Sequence, residues 1–253
     1  MKTAYVEVNS EGRILRGMKH VSSIQSGFTF LIVHGYFSSN KIGPHRLYVN
    51  LADMLSEKYG DSYRFDLSGM GESDGDITQT RLETHVVDLV NILDYILSKG
   101  TKNIIIISHC IGCNLVLEVL KLNKYKFREI VFLAPYFTND EILKLFFKQP
   151  NQLEELYKKG YTFRNGLYSD RSFFLEQSFF DNFLMSINNS NSFINIVAAE
   201  NDQFIPYRCN ELLRTNARNI NFIYIKNSDH NFLTTRKELE NTLMIIVEDN
   251  LYT

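Results

Sequence analysis

Apolar residues along this chain follow two alternating rhythms: short β-branched runs, and longer stretches with an apolar position every three or four residues. The most apolar run is Ile104 to Ile107, which follows polar Lys102 and Asn103. Four isoleucines are too few for a helix and fit a parallel strand covered on both faces. Upstream, Thr3–Val8 and Ile14–Lys19 flank Asn9-Ser10-Glu11-Gly12 and predict an antiparallel hairpin at a sheet edge. Phe28–Val33 predicts a buried strand, His45–Lys58 a helix stopped at Gly60, and Tyr63–Phe65 a short strand. Between Arg81 and Lys99, Leu82, Val86, Leu89, Val90, Leu93, Ile96 and Leu97 trace one face of a long helix, with Gly100 as its stop. Downstream the pattern gives helix Asn114–Leu122, strand Glu129–Leu133, strand Phe193–Ala199, helix Arg208–Arg214, strand Ile220–Ile225 and a closing helix Arg236–Asn250. Such alternation predicts an α/β protein: a doubly wound, mostly parallel sheet with helices on both faces.

One stretch breaks the rhythm. Tyr136 to Ser190 spans 55 residues of mostly helical pattern and holds thirteen of the 33 aromatic residues, nearly twice its share by length. A structureless loop of that length is out of place in a compact domain. The expected organisation is therefore a core made of 1–135 and 191–253, with an inserted helical cap over 136–190.

Composition narrows the function classes. With 253 residues the chain can bury a substantial single core. A net charge of −2 argues against nucleic acid or an anionic membrane recruited by bulk charge. Met1 to Ser10 alternates polar and apolar residues, unlike a secretory signal, and no run approaches the roughly 18 apolar residues of a membrane span. Three cysteines, Cys110, Cys113 and Cys209, make neither a disulfide framework nor a Cys-rich zinc site. The expectation is a cytoplasmic protein with no membrane span, no nucleic-acid partner, no metal and no organic cofactor.

Ligand chemistry in a doubly wound sheet sits beyond the carboxyl ends of the strands. Five such turns carry reactive or turn-forming residues: His34-Gly35-Tyr36-Phe37, Asp66 to Gly75, Cys110, Glu200-Asn201-Asp202 and Ser228-Asp229-His230. Cys110 is flanked two residues away by Ser108 and Gly112, the spacing a sharp strand-to-helix elbow needs, because large side chains there would collide. This pattern resembles the nucleophile elbow of the α/β-hydrolases, with Cys at the apex where that superfamily usually has Ser. Cys110, Asp202 and His230 also fall in the superfamily's order of nucleophile, acid and histidine. The likeness covers nearly the whole chain and is nearest to the capped cinnamoyl/feruloyl esterases, in the His-Gly loop, the Gly69-Met-Gly-Glu-Ser-Asp-Gly75 turn and the aromatic insertion.

The resemblance implies acyl transfer on a small-molecule or carrier-bound acyl substrate. Cys110 would attack the acyl carbon as its thiolate, which helix N-termini and imidazole partners favour in general. His230 would carry the proton, and Asp202 would orient it, with Glu200 and Asp229 as rival acids. Backbone N–H groups of Tyr36 and Ile111 would meet the oxyanion, while His34, Gly35, Ser108 and Gly112 shape the turns. Hydrolysis of an ester or thioester is the leading outcome, and transfer to an amine, alcohol or thiol is the second. Two other classes stay open: a redox role for Cys110-Ile-Gly-Cys113, whose cysteines are spaced to form a disulfide, and a non-catalytic binding protein.

Overall fold

The computed structural model describes residues 2–24, 26–36, 40–175 and 178–251. Phe37 of the expected His34 loop and residues 176 and 177 of the expected cap lie outside them. Ten strands and eight α-helices are present among the described residues. Eight strands form one sheet in the order β1 (Lys2–Ser10), β2 (Arg13–Val21), β4 (Asp61–Phe65), β3 (Phe28–Val33), β5 (Asn103–His109), β6 (Phe127–Leu133), β9 (Ile194–Ala199) and β10 (Ile220–Ile225). The β1–β2 and β2–β4 pairings are antiparallel and all later ones parallel. The expected edge hairpin is therefore there, each strand three residues longer than its apolar alternation.

The isoleucine run sits at the centre because both of its faces are covered. Ile104 and Ile106 join one hydrophobic cluster with α2 (Leu82–Ser98) and α3 (Gly112–Lys121). Ile105 and Ile107 join the other, with α1 (Leu47–Lys58) and α8 (Arg236–Leu251). Each fully buried isoleucine contributes about 1.5–3 kcal/mol, so this strand anchors both layers. Among the described residues, no helix is long and apolar enough to cross a membrane.

Three local expectations are corrected. The helix expected from His45 begins at Leu47, after a 3₁₀ turn over Pro44–Arg46 in which His45 and Arg46 take positive φ of 45° and 62°. Gly60 follows the helix end without a left-handed φ; a Cβ there would lie 2.3 Å from the Phe28 carbonyl oxygen, so close approach explains it. The 136–190 stretch is not purely helical. It carries α4 (Asp140–Phe146), α5 (Gln152–Lys159) and α6 (Phe180–Asn188), and also a two-stranded antiparallel sheet of β7 (Tyr161–Arg164) and β8 (Leu167–Asp170). The hairpin turns at Asn165-Gly166, both with positive φ, which is the Asn-Gly signature of a two-residue turn. Phe137, Phe173, Phe174 and Phe183 of this stretch are fully buried in the same cluster as α2 and α3, so the aromatic enrichment supplies core. The remaining helix, α7 (Tyr207–Asn216), joins that face through Cys209 and Leu213.

Candidate active site

Cys110 stands at the end of β5 with φ of 56°, a left-handed conformation that costs a non-glycine residue about 1–3 kcal/mol. Backbone hydrogen bonds hold it there: its N–H donates to Leu133 at 3.1 Å, and its carbonyl accepts from Tyr136 at 3.3 Å and Cys113 at 3.1 Å. α3 begins at Gly112, two residues after the apex and two before the expected start, so the chain turns with no intervening loop. A Cβ on Gly112 would lie 2.6 Å from the His34 carbonyl oxygen, and one on Gly35 would lie 2.9 Å from Cys110 Cβ. The His34 loop thus rests on the elbow at a distance only glycines permit. Ser108 is buried, with its hydroxyl 3.4 Å from Cys113 Sγ. All three cysteines are free, and burial pushes the Cys113 thiol well up, which keeps it protonated.

His34 is buried and neutral in character: desolvation lowers its pKa, although the Gly35 carbonyl opposes this. Its Nε2 accepts from the Leu67 N–H at 3.2 Å, so Nδ1 carries the proton and donates to Gly35 at 2.6 Å. That pair of bonds ties the loop after β3 to the loop after β4.

Of the three acids weighed from sequence, Asp202 is the one that meets His230. Its Oδ2 accepts from His230 Nδ1 at 2.7 Å, and its Oδ1 accepts from the N–H groups of Phe204 and Ile205 at 2.7 and 3.0 Å. Glu200 instead accepts from Asn227, and Asp229 from Asn231 and Leu233. Burial alone would lower the His230 pKa, but the Asp202 carboxylate and the Cys110 sulfur outweigh it and hold the ring well above its ordinary value. Its Nε2 is buried and makes no hydrogen bond of ordinary geometry within the protein.

Cys110, Ile111, His230, Gly35 and Tyr36 line one cavity of about 390 Å³, so the residues singled out after three separate strands converge, and Asp202 reaches the cavity through His230. Among the described residues, no His, Cys, Asp and Glu side chains gather into a group able to hold a metal ion.

Several residues in this region lie outside those the sequence singles out. His109, next to the apex, is fully buried, and desolvation followed by the His230 charge lowers its pKa to about 3. A neutral ring whose Nε2 lies 2.9 Å from the His230 carbonyl must donate there, so Nδ1 accepts from the Tyr48 hydroxyl at 2.8 Å. Tyr48 in turn accepts from the Gly35 N–H at 3.3 Å. One chain of bonds therefore links the His34 loop, the elbow and the His230 loop. Phe204 sets its ring edge-on to His230 at 4.8 Å, and Arg164 and Tyr136 face the cavity from the insertion. The adjacency of His109 to Cys110 was the available signal for the first; nothing local marks the others.

The sequence matches the family described as "Serine aminopeptidase, S33" over residues 28–172, more than half of the chain. An esterase/lipase-named protein of Mycoplasma genitalium is 26% identical over 128 residues, 48% of this chain and 45% of that protein, so the chain spans less than half the length of this curated relative. Est1E from Butyrivibrio proteoclasticus, solved with ferulic acid bound, superposes with a TM-score of 0.79 at 14% identity, over 98% of this chain and 100% of that one. Alpha/beta hydrolase domain-containing protein 10 from mouse gives a TM-score of 0.71 at 18% identity, over 97% and 99% of the two chains. With its sheet order, its elbow and these matches together, the chain is a member of the serine aminopeptidase S33 family and has the α/β-hydrolase fold.

Proposed function

We propose that this protein cleaves a carboxylic ester or thioester through a Cys110–His230–Asp202 triad. The observation that carries the reading is the 2.7 Å Asp202–His230 bond, with that imidazole sharing a cavity with a left-handed Cys110 at a strand-to-helix elbow. Cys110 thiolate attacks the acyl carbon, and the carbonyl oxygen gains the negative charge under the N–H groups of Ile111 and Tyr36. The bond to the alcohol or thiol breaks, and His230 donates its proton to that leaving group. Water then attacks the acyl-thioester while His230 takes its proton. The C–S bond breaks, the carboxylic acid departs and the thiolate returns. Asp202 keeps Nδ1 protonated and aims Nε2 at the sulfur. Residues 136–190 act as the cap that walls the acyl cavity, and the substrate is a small molecule or a carrier-bound acyl group. The esterase name of the Mycoplasma relative and the ferulic acid bound to Est1E are consistent with this class of chemistry.

The test is intact-protein mass after mixing reduced protein with a 4-nitrophenyl acyl ester, beside Cys110→Ala, while nitrophenol release is followed. One added acyl mass that requires Cys110 and decays in water supports the hydrolase. An adduct that persists until an amine, alcohol or thiol is added makes the enzyme an acyltransferase. No adduct and no Cys110-dependent release across several acyl lengths overturns the triad.

A further inference from the structure

Among the described residues lining the cavity beside Cys110, two buried side-chain polar atoms make no hydrogen bond within the protein: His230 Nε2 and the Tyr136 hydroxyl oxygen. The proposed reaction accounts for the first, because Nε2 exchanges protons with the sulfur, the leaving group and water. It leaves the second unexplained. Tyr136 is 0% exposed, and an orphaned buried O–H is costly to retain, so its place in a ligand cavity calls for an acceptor that arrives with the substrate.

The phenol is held in place from both ends. The Tyr136 N–H donates to the Cys110 carbonyl at 3.3 Å, and the Tyr136 carbonyl accepts from Asn114 Nδ2 at 2.8 Å, which ties the residue to the elbow and to the first turn of α3. Its ring centroid lies 5.5 Å from that of Phe146 and 6.1 Å from that of Phe174. Swinging the hydroxyl toward a protein partner would open that cluster. The hydroxyl makes no hydrogen bond to the Cys110 sulfur, yet the charge of Cys110 acts on it, so it stands near the reacting atom without touching it. Burial and then that charge hold the phenol pKa well above its ordinary value, so the group stays a neutral donor. Arg164, at the same wall, is engaged by Phe146: its Nε donates to the Phe146 carbonyl at 2.9 Å, and its guanidinium lies 4.0 Å from the Phe146 ring centroid.

Resting on the acyl-transfer reading, we infer that the acyl group this enzyme accepts is an oxoacyl group, with a ketone oxygen a few carbons beyond the reacting carbonyl that accepts from the Tyr136 hydroxyl. A ketone is a pure acceptor that one O–H satisfies, whereas a plain alkyl chain would leave the hydroxyl orphaned in the complex as well. A hydroxyl on the chain would bring a further donor in need of a partner. Buried hydrogen-bonding groups discriminate against an analogue that lacks the partner atom far more strongly than an apolar pocket discriminates by size. Tyr36, Ile111, Phe146, Leu167 and Phe204 wall the rest of a cavity of about 390 Å³, which suits a short oxoacyl chain.

The experiment compares ethyl acetoacetate with ethyl butanoate, and ethyl levulinate with ethyl pentanoate, by pH-stat in the wild type and in Tyr136→Phe, which removes only the orphan oxygen. Each pair is matched in acyl length, and differences in intrinsic reactivity within a pair cancel when the two proteins are compared. The N,N-dimethylamides of the same four acids, which carry no ester, are titrated calorimetrically as a readout independent of turnover. In at least one pair, the oxo-to-plain ratio of kcat/KM is expected to fall about fivefold or more in Tyr136→Phe, with no loss of Tm. The wild type should bind the oxo amide of that pair more tightly than its plain counterpart, and Tyr136→Phe should lose the difference. A smaller fall in both pairs, including equal slowing of all the esters, overturns the ketone inference and leaves the triad standing. Absence of Cys110-dependent turnover of every ester, with an oxo amide still bound in a Tyr136-dependent way, overturns the triad and leaves the ketone site standing. Neither turnover nor Tyr136-dependent binding overturns both.

Discussion

The elbow and the insertion are built on opposite principles. At the elbow, backbone touches backbone: Cys110 is fixed by three main-chain hydrogen bonds, and glycines at 35 and 112 let the His34 loop approach to within a carbon atom's reach. Across 136–190, side chains do the fixing. Phe174 alone sets its ring against Phe147 at 5.1 Å, Phe146 at 5.4 Å, Tyr36 at 6.1 Å and Tyr136 at 6.1 Å. A backbone contact at its steric limit tolerates no added atom, whereas an aromatic cluster loses energy in proportion to the volume removed. The chemistry should therefore break at the first region, and the stability should break at the second.

The largest effect is expected from Asp202→Asn, which keeps the loop's Oδ1 acceptor but gives Nδ1 of His230 a poorer partner. Turnover of a neutral ester should fall about 10³–10⁴-fold with little change in KM, equivalent to about 4–5.5 kcal/mol of transition-state stabilisation. A loss under tenfold would remove Asp202 from the mechanism. Next comes Phe174→Ala, expected to cost about 3–5 kcal/mol of unfolding free energy in a urea titration. A cost under 1 kcal/mol would mean that the insertion is not part of the main core.

Gly112→Ala sharpens the contrast, because the added methyl meets the His34 and Val33 carbonyl oxygens at 2.6 and 3.0 Å. Unfolding free energy should drop by about 1–3 kcal/mol, less than for Phe174→Ala, while turnover drops far more than it does there. Equal damage to turnover from both variants would erase the distinction between the regions.

The smallest effect belongs to His109→Gln, which can still accept from Tyr48 and donate to the His230 carbonyl. The sign follows from the depressed pKa. The unfolded chain binds a proton near pH 6.5 that the folded ring refuses until about pH 3, so stability is complete above that window and falls as pH drops through it. His85, lowered to about 4 by burial, adds a term of the same sign. His230 acts in the opposite direction: its raised pKa stabilises fully below about pH 6.5, and that contribution is lost as pH climbs through the folded value. Tm measured from pH 7 to pH 4 should therefore fall less steeply in His109→Gln than in the wild type. Identical slopes would mean that the ring takes up its proton without strain.

Much of this arrangement was legible in the chain. Period-two and period-3.6 patterns, a buried isoleucine strand and small residues two on either side of Cys110 are local properties, set by sterics within a few residues, and they determined the α/β class, the elbow and the order of the reactive turns. The hairpin in the insertion was signalled by Asn165-Gly166 yet lay hidden among aromatics that read as helix. What only tertiary structure decided depends on residues brought together from far apart. Asp202 rather than Glu200 or Asp229 faces His230, because Phe204 and Ile205 turn its carboxylate inward. His109 bridges Tyr48 and His230 across 61 and 121 residues. Arg164 and Tyr136 come to share a wall with Cys110. Burial, partner and charge are set by the packed neighbourhood, and no window of sequence contains that neighbourhood.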